Sequence, residues 1–377
     1  MHLTISQPEL SRLLQQASRA LPGKTTNQLP ILKFVHLAAA DGAVQVTATD
    51  LTTRITATAA CEIAEPGVLT VDGALFAEFV RGLPPAVPVT LAQEPSGRAT
   101  RLTVDAGSSR ARFATLPPDD FPTSPERPED AVPLVIGGQE LAAAINAVEK
   151  CAAKDDSRPV LAGINIKADG DRLILAAADG FKLGMTETTL PEPVRTPIEV
   201  IVPLAGARHL AAIAGEQSSP VELGLTKRAS QLDATLFQAR VTSSLIEGTF
   251  PDVRQIIPRE CATTVVLDRL ELMSAVRRCG VFAADNNRLL RLTVGDDRLD
   301  LWATAAERGD ADAELDAVVA GDPLTIKVDG RYVADILASM DSERVEIGLN
   351  GPAMALVIRP DRVTTQTYVL MPMTGEN

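Results

Sequence analysis

A strand, an aspartate and a helix follow one another three times along this chain. Val68 to Val71 is a β-rich run, and Asp72 is placed to cap what comes next. Leu75, Phe76, Phe79, Val80 and Leu83 then recur at helical spacing until Pro84 stops the pattern, with Arg81 on the outer side. Near the C-terminus, Leu324 to Val328, Asp329 and the stripe Tyr332, Val333, Ile336, Leu337 and Met340 repeat the arrangement, with Arg331 outward. A weaker copy runs from Val200 to Ala214. Val71 and Val202 are 131 residues apart, and Val202 and Val328 are 126 apart. A unit of that length, present three times in 377 residues, constrains the fold before any other feature does.

The intervening segments fit the same unit. A first helix is predicted over Gln7 to Leu21, with Leu10, Leu14, Ala17 and Leu21 on one stripe. Strands are predicted over Ile31 to Leu37, Ala43 to Thr49 and Thr53 to Ala59. Further strands follow around Arg101 to Val104 and Ala111 to Phe113. The proline-rich, charged segment Thr123 to Asp130 reads as a linker. The second unit opens with a helix over Gln139 to Ala152 and strands over Gly163 to Ile166 and Arg172 to Ala176. The third opens with a helix over Asp268 to Phe282. Asp179 in its turn lies 129 residues after Asp50, and Phe250-Pro251 lies 129 after Phe121-Pro122. Each unit therefore reads helix, strands, helix, strands. Each helix can bury one stripe against sheet and leaves its other face for something else. The domains expected are 1–127, 128–256 and 257–377.

Hydrophobic residues make up 45% of the chain but aromatics only 3%, so the core is aliphatic. A net charge of −13 argues against attachment to DNA by bulk charge, which depends on Lys and Arg neutralising phosphates. A local basic surface remains compatible with it. Outward-capable bases and acids on the six helices balance at nine each, so the acidic excess sits on strands and loops. Four cysteines without CxxC spacing indicate free thiols in a reducing compartment. Neither a signal peptide nor a membrane-length apolar run is present, and a soluble, cytoplasmic protein is expected. Enzyme motifs are missing: there is no HExxH, GxSxG or phosphate-binding glycine loop, and the three histidines are far apart in sequence. No catalytic residue, metal or cofactor is expected.

Eight segments in register resemble the bacterial DNA polymerase III beta subunit family, the DNA sliding clamps. They are LPIL (Leu29 to Leu32), ATDL (Ala48 to Leu51), RGLP (Arg81 to Pro84), TLPPDDFP (Thr115 to Pro122), ADGFKL (Ala178 to Leu183), VIVP (Val200 to Pro203), GTFPDVRQIIP (Gly248 to Pro258) and YVLMPM (Tyr368 to Met373). The resemblance implies an α+β fold of three tandem clamp domains, each with two helices packed on antiparallel sheets. It implies a head-to-tail homodimeric ring around double-stranded DNA. It also implies a non-catalytic processivity factor that tethers the DNA polymerase III alpha subunit, the clamp-loader ATPase, and other polymerases and repair proteins. The alternative is a clamp paralogue with an altered groove, acting in inhibitor resistance or partner sequestration.

By the same resemblance, partners insert a short peptide into a groove here formed by Arg158, Leu161, Ala178, Gly180, Phe181, Lys182, Leu183, Pro251, Gln255, Ile256, Val369, Leu370, Met371, Pro372 and Met373. Read without the resemblance, VLMPM is a last strand packing on the core. The family's ATDGHRL turn is AADGFKL in this chain, which implies a more apolar groove with less capacity for bidentate bonds. The residues expected to face DNA are Arg19, Lys24, Arg81, Arg208, Arg277, Arg278 and Arg331. Aromatics that some relatives carry near the second domain's DNA surface are Pro159 and Val160 here. Ring closure is expected to pair the edge carrying Arg110 and Arg112 with the one carrying Asp310, Asp312 and Glu314, with Val281 and Phe282 as apolar anchors. Alternation puts those acids on one strand face. The residues alone also permit a charge-protected edge in a monomer.

Overall fold

The computed structural model describes residues 1–23, 29–96, 99–123, 133–155, 157–226, 230–284 and 287–373. Among them are six α-helices: α1 (Gln7–Ala17), α2 (Gly73–Arg81), α3 (Gly138–Val148), α4 (Leu204–Gly215), α5 (Arg269–Ala283) and α6 (Gly330–Leu337). The chain divides into two compact units. One holds Met1–Ala142 with Ala205–Leu245, and the other Ala143–Leu204 with Ile246–Asn377.

The first unit contains two antiparallel sheets. The five-stranded sheet runs in the order Glu62–Glu65, His2–Ser6, Pro88–Ser96, Ala99–Ala106, Ser109–Ala114. The eight-stranded sheet runs Leu134–Gly137, Pro220–Leu225, Gln231–Leu236, Ala239–Ser244, Thr53–Ala60, Ala43–Thr49, Phe34–Ala40, Gly67–Asp72. Its centre is a junction between repeats: Ala239–Ser244 of the second pairs with Thr53–Ala60 of the first, Arg240 opposite Thr56 and Val241 opposite Ile55. Sheets that bridge repeats explain why the compact units do not coincide with the 125–130-residue period.

Helix ends in this unit follow their caps. Ser6 Oγ accepts from the Glu9 N–H at 3.4 Å, and Asp72 Oδ1 accepts from the Leu75 N–H at 2.9 Å. Three details depart from the sequence expectation. α1 stops at Ala17 and tightens into a 3₁₀ turn, Ser18–Ala20, ahead of Pro22, so Leu21 is outside it. Ile31 to Lys33 belong to a 3₁₀ turn, Pro30–Lys33, and the strand starts at Phe34. In α2 the buried stripe is Gly73, Phe76 and Val80, continued by Leu83, whereas Leu75 is 57% exposed. Gly73 lies against Leu21 and Val35, so the first turn of α2 buries backbone and turns Leu75 outward.

The second unit repeats the plan. Its seven-stranded sheet runs Gly163–Ala178, Lys182–Pro203, Gln366–Leu370, Leu356–Pro360, Arg344–Leu349, Thr263–Asp268, Val318–Ala320. The four-stranded sheet runs Gly309–Asp316, Arg298–Ala305, Leu289–Val294, Leu324–Asp329. Again a strand of the later repeat, Gln366–Leu370, pairs with one of the earlier, Lys182–Pro203. The two strands expected within 163–176 form one long element whose register shifts between Ala168 and Arg172, where Gly170 has φ of 57°. The helix expected to run to Ala152 is α3 to Val148 and then a 3₁₀ turn, Glu149–Cys151. Asp268 and Asp329 cap α5 and α6 through Glu271 N–H and Arg331 N–H, each at 2.8 Å. Tyr368 is wholly buried and donates its hydroxyl hydrogen to the Ala147 carbonyl at 2.8 Å. All four cysteines are free.

Candidate partner-binding groove

The turn from Asp179 to Lys182 joins the two longest strands and is held by its own aspartate. Asp179 Oδ1 accepts from the N–H groups of Phe181 and Lys182, both at 2.9 Å. Gly180 has φ of 93°, and a Cβ there would lie 2.6 Å from the Arg158 guanidinium. That guanidinium crosses the turn and donates to the Asp179 carbonyl at 2.8 Å. Glycine is therefore required both by the backbone angle and by the arginine. Phe181, 59% exposed, stacks on Tyr332 of α6 with ring centroids 6.4 Å apart.

Strand alternation separates the remaining residues. Leu183 stands opposite Val369, and both join Leu161, Ala176, Phe250 and Val253 in one buried apolar cluster. Val160, Ala178, Ile257 and Ala355 pack on it from the partly exposed side. Lys182 stands opposite Leu370, one residue along on each strand, so both point to the other face. Leu370 is fully buried there, and the Lys182 ammonium pairs with Asp335 at 2.8 Å and sits 4.4 Å from the Tyr332 ring centroid. Leu370 and Lys182, expected in the groove, therefore form its support. The exposed rim is Phe181, Pro251, Gln255, Ile256 and Met371, with Pro372 and Met373 half-buried. Gln255 Nε2 is tied to Asp252 at 2.9 Å, and the Met371 N–H donates to the Phe181 carbonyl at 2.8 Å. VLMPM is thus both core strand and rim: Val369 and Leu370 pack inward, and Met371 begins the exposed tail.

Sequence reasoning missed Tyr332 and Asp335 as groove supports, and Val160, Ile257 and Ala355 as wall. The α6 stripe singled out Tyr332 as apolar packing, but nothing local marks its contact with Phe181. Asp335 lies 153 residues from Lys182, and no spacing rule links them.

The basic residues proposed for DNA are spread over both units. Arg81 and Arg208 are exposed on α2 and α4, and Arg277 and Arg278 are exposed on α5. Arg278 donates to Ser274 Oγ at 2.6 Å. Arg19 is paired with Glu216 at 3.2 Å, and Arg331 with Asp329 at 3.3 Å. Lys24 lies outside the described residues. Arg110 and Arg112 are exposed on Ser109–Ala114, an edge of the five-stranded sheet, where Arg110 is ion-paired with Asp105. Asp310, Asp312 and Glu314 are exposed on Gly309–Asp316, an edge of the four-stranded sheet. Val281 is 72% exposed at the end of α5, and Phe282 is half-buried beside Gly309. Among the described residues no cluster of His, Cys, Asp and Glu has metal-site geometry, and no helix is long and apolar enough to cross a membrane.

Segments 1–125, 135–252 and 254–374 match, in that order, the N-terminal, central and C-terminal domains of the DNA polymerase III beta subunit. The chain belongs to the DNA polymerase III beta subunit family. Its fold is three DNA-clamp domains in tandem, and its function is that of a DNA sliding clamp. The beta sliding clamp of Pseudomonas aeruginosa is 29% identical over 374 residues, 99% of this chain and 100% of that one. That of Synechococcus elongatus is 30% identical, covering 99% of each. The crystal structure of the P. aeruginosa DNA polymerase III subunit beta superposes over the full length of both chains with a TM-score of 0.89 at 29% identity, and that of the P. aeruginosa sliding clamp bound to griselimycin with 0.92. The Thermotoga maritima beta subunit shares the fold at 22% identity, with a TM-score of 0.90.

Proposed function

We propose that two copies of this clamp close head to tail into a ring around duplex DNA, acting without catalysis in the bacterial cytoplasm, each copy contributing domains 1–127, 128–256 and 257–377. One observation carries the reading: the sheets stop short at both ends of the chain. At each internal junction the last strand of one repeat pairs with the third strand of the repeat before it. Ala239–Ser244 does so with Thr53–Ala60, and Gln366–Leu370 with Lys182–Pro203. The last strand of the first repeat, Ser109–Ala114, and the third strand of the last, Gly309–Asp316, are both sheet edges. Pairing them between copies repeats the internal junction once more. One edge is basic and the other acidic, which favours that pairing over a like-charged one.

A closed ring is retained by topology, so its DNA contacts can be weak and non-specific, in keeping with a net charge of −13 and scattered arginines. The groove beside Phe181 receives short peptides from the polymerase III alpha subunit, the clamp-loader ATPase, and other polymerases and repair proteins. Its apolar floor and adaptable Met371 suit aliphatic and aromatic anchors. Sedimentation equilibrium over a dilution series tests the ring: a mass of about twice 39.9 kDa is expected to persist, and a stable monomer overturns the reading. For the groove, Phe181→Ala is expected to weaken an anchor peptide by about tenfold in a fluorescence titration, since a stacked ring there supplies much of the contact.

A further inference from the structure

The same cleft occurs in two successive repeats, and its chemistry differs. In the first unit, a cavity of about 740 Å³ lies over the eight-stranded sheet. His36, Thr47, Thr56 and Arg240 form a row across four strands of its floor, each opposite the next. The Thr47 and Thr56 hydroxyls are 3.0 Å apart. Phe121 closes one side, with its ring 5.2 Å from His36 and with the Arg54 guanidinium 5.6 Å from its centroid.

Arg54 donates to the carbonyls of Pro122 at 2.7 Å and Thr123 at 2.9 Å. Among the described residues no carboxylate pairs with it. The charged group nearest in effect is a second cation, Arg240, and burial together with that repulsion holds the Arg54 guanidinium below its ordinary range. Arg240 is itself bonded to the buried Asp233 at 2.7 Å, and Asp119 lies at the exposed mouth. A more than half-buried guanidinium facing only carbonyls, a ring and another arginine lacks a counter-charge.

The second unit supplies the comparison. Asn165, Ala176, Met185, Phe250 and Pro251 stand 129 residues after His36, Thr47, Thr56, Phe121 and Pro122, and they line a cavity of about 540 Å³. Leu183 occupies the place of Arg54. The basic residues lining that cavity all have carboxylate partners: Lys167 with Glu199 at 3.0 Å, Arg172 and Arg254 with Glu187 at 3.5 and 3.1 Å. The fold thus builds this cleft without a cation at the central position, and Arg54 is not a requirement of the architecture.

We propose that the first-unit cleft binds a peptide segment carrying a carboxylate, from a partner protein, with the acid opposite Arg54 and the peptide main chain along the Thr47–Thr56 row. The cavity is the size of a ligand site rather than an ion site. Hydroxyls and the amides of Gln45 and Gln238 suit a peptide main chain. Phe121 already has His36 and Arg54 against it, which leaves no open ring for a nucleobase.

Isothermal titration of the full chain with the capped peptide Gly-Asp-Gly-Glu-Gly, its Asn/Gln counterpart and inorganic phosphate tests this. The acidic peptide is expected to bind about tenfold or more tightly than the amide version, because a charge-assisted bond to guanidinium is at stake. Arg54→Gln is expected to remove that difference, Thr56→Val to weaken binding about threefold, and Phe181→Ala to change nothing. Thr56→Val decides the matter if Arg54→Gln disturbs the Pro122 loop. Equal binding of the two peptides, no binding of the acidic one, or insensitivity to both cleft variants overturns the proposal. Displacement of the peptide by equimolar phosphate overturns it in favour of a free-anion site.

Discussion

At the residue scale, two equivalent turns solve one backbone problem differently. Asp50 and Asp179 each accept two N–H bonds from the residues that follow, and the next residue must take a positive φ, 77° at Leu51 and 93° at Gly180. Leucine is strained there and its side chain is 54% exposed, so it recovers little by packing. Leu51→Gly is expected to stabilise the protein by about 0.5–1 kcal/mol, read as a rise in the urea midpoint. Gly180→Ala is expected to cost about 1–3 kcal/mol by the same measurement, since the added Cβ meets Arg158 as well as the strained angle. The histidines make stability depend on pH. Burial lowers the pKa of His36 and His209 from 6.5, with Arg54 adding to the shift at His36 and Arg19 at His209. The unfolded chain therefore takes up protons first as pH falls. Their contribution is complete above 6.5 and is lost through the window below it, down to the depressed folded values. Urea midpoints are expected to fall between about pH 6.5 and 5, and more shallowly in His36→Gln. The polar half of the groove was least legible at this scale. AADGFKL identified the turn, but whether Lys182 is an open cation depends on Asp335 and Tyr332, which come from a helix far along the chain.

At the element scale, caps and stripes were legible because they are local. Asp72, Asp268 and Asp329 each accept from an N–H two or three residues on. The α2 stripe was displaced by one position because Gly73, without a side chain, takes the buried first-turn place and leaves Leu75 outside. Edge strands were legible as charge patterns, although only the sheet order makes them edges. Reversal of one edge with Arg110→Glu and Arg112→Glu is expected to weaken self-association by about tenfold or more in sedimentation, and Asp310→Arg with Asp312→Arg in the other copy to restore it. Unchanged association in the first variant would separate edge charge from ring closure and leave Val281 and Phe282 as the anchors to test.

At the scale of the whole molecule, function follows from closure rather than from affinity. A ring held by topology is expected to stay on a nicked DNA circle at a salt concentration that strips it from the same DNA once linearised, measured by gel filtration after loading. A protein held by phosphate contacts would lose both alike, because salt weakens each contact. The sequence by itself determined the threefold period, the helix and strand content, the caps and the acidic surface, because propensity, capping and alternation act over a few residues. It also carried the family resemblance, through segments scattered along the whole chain. Only the tertiary structure decided that the sheets run across the repeat boundaries, that Lys182 and Leu370 support the groove instead of lining it, and that Arg54 faces its cleft without a carboxylate. Each of those depends on strands and helices brought together from distant parts of the chain, and no local pattern encodes which distant partner a side chain will meet.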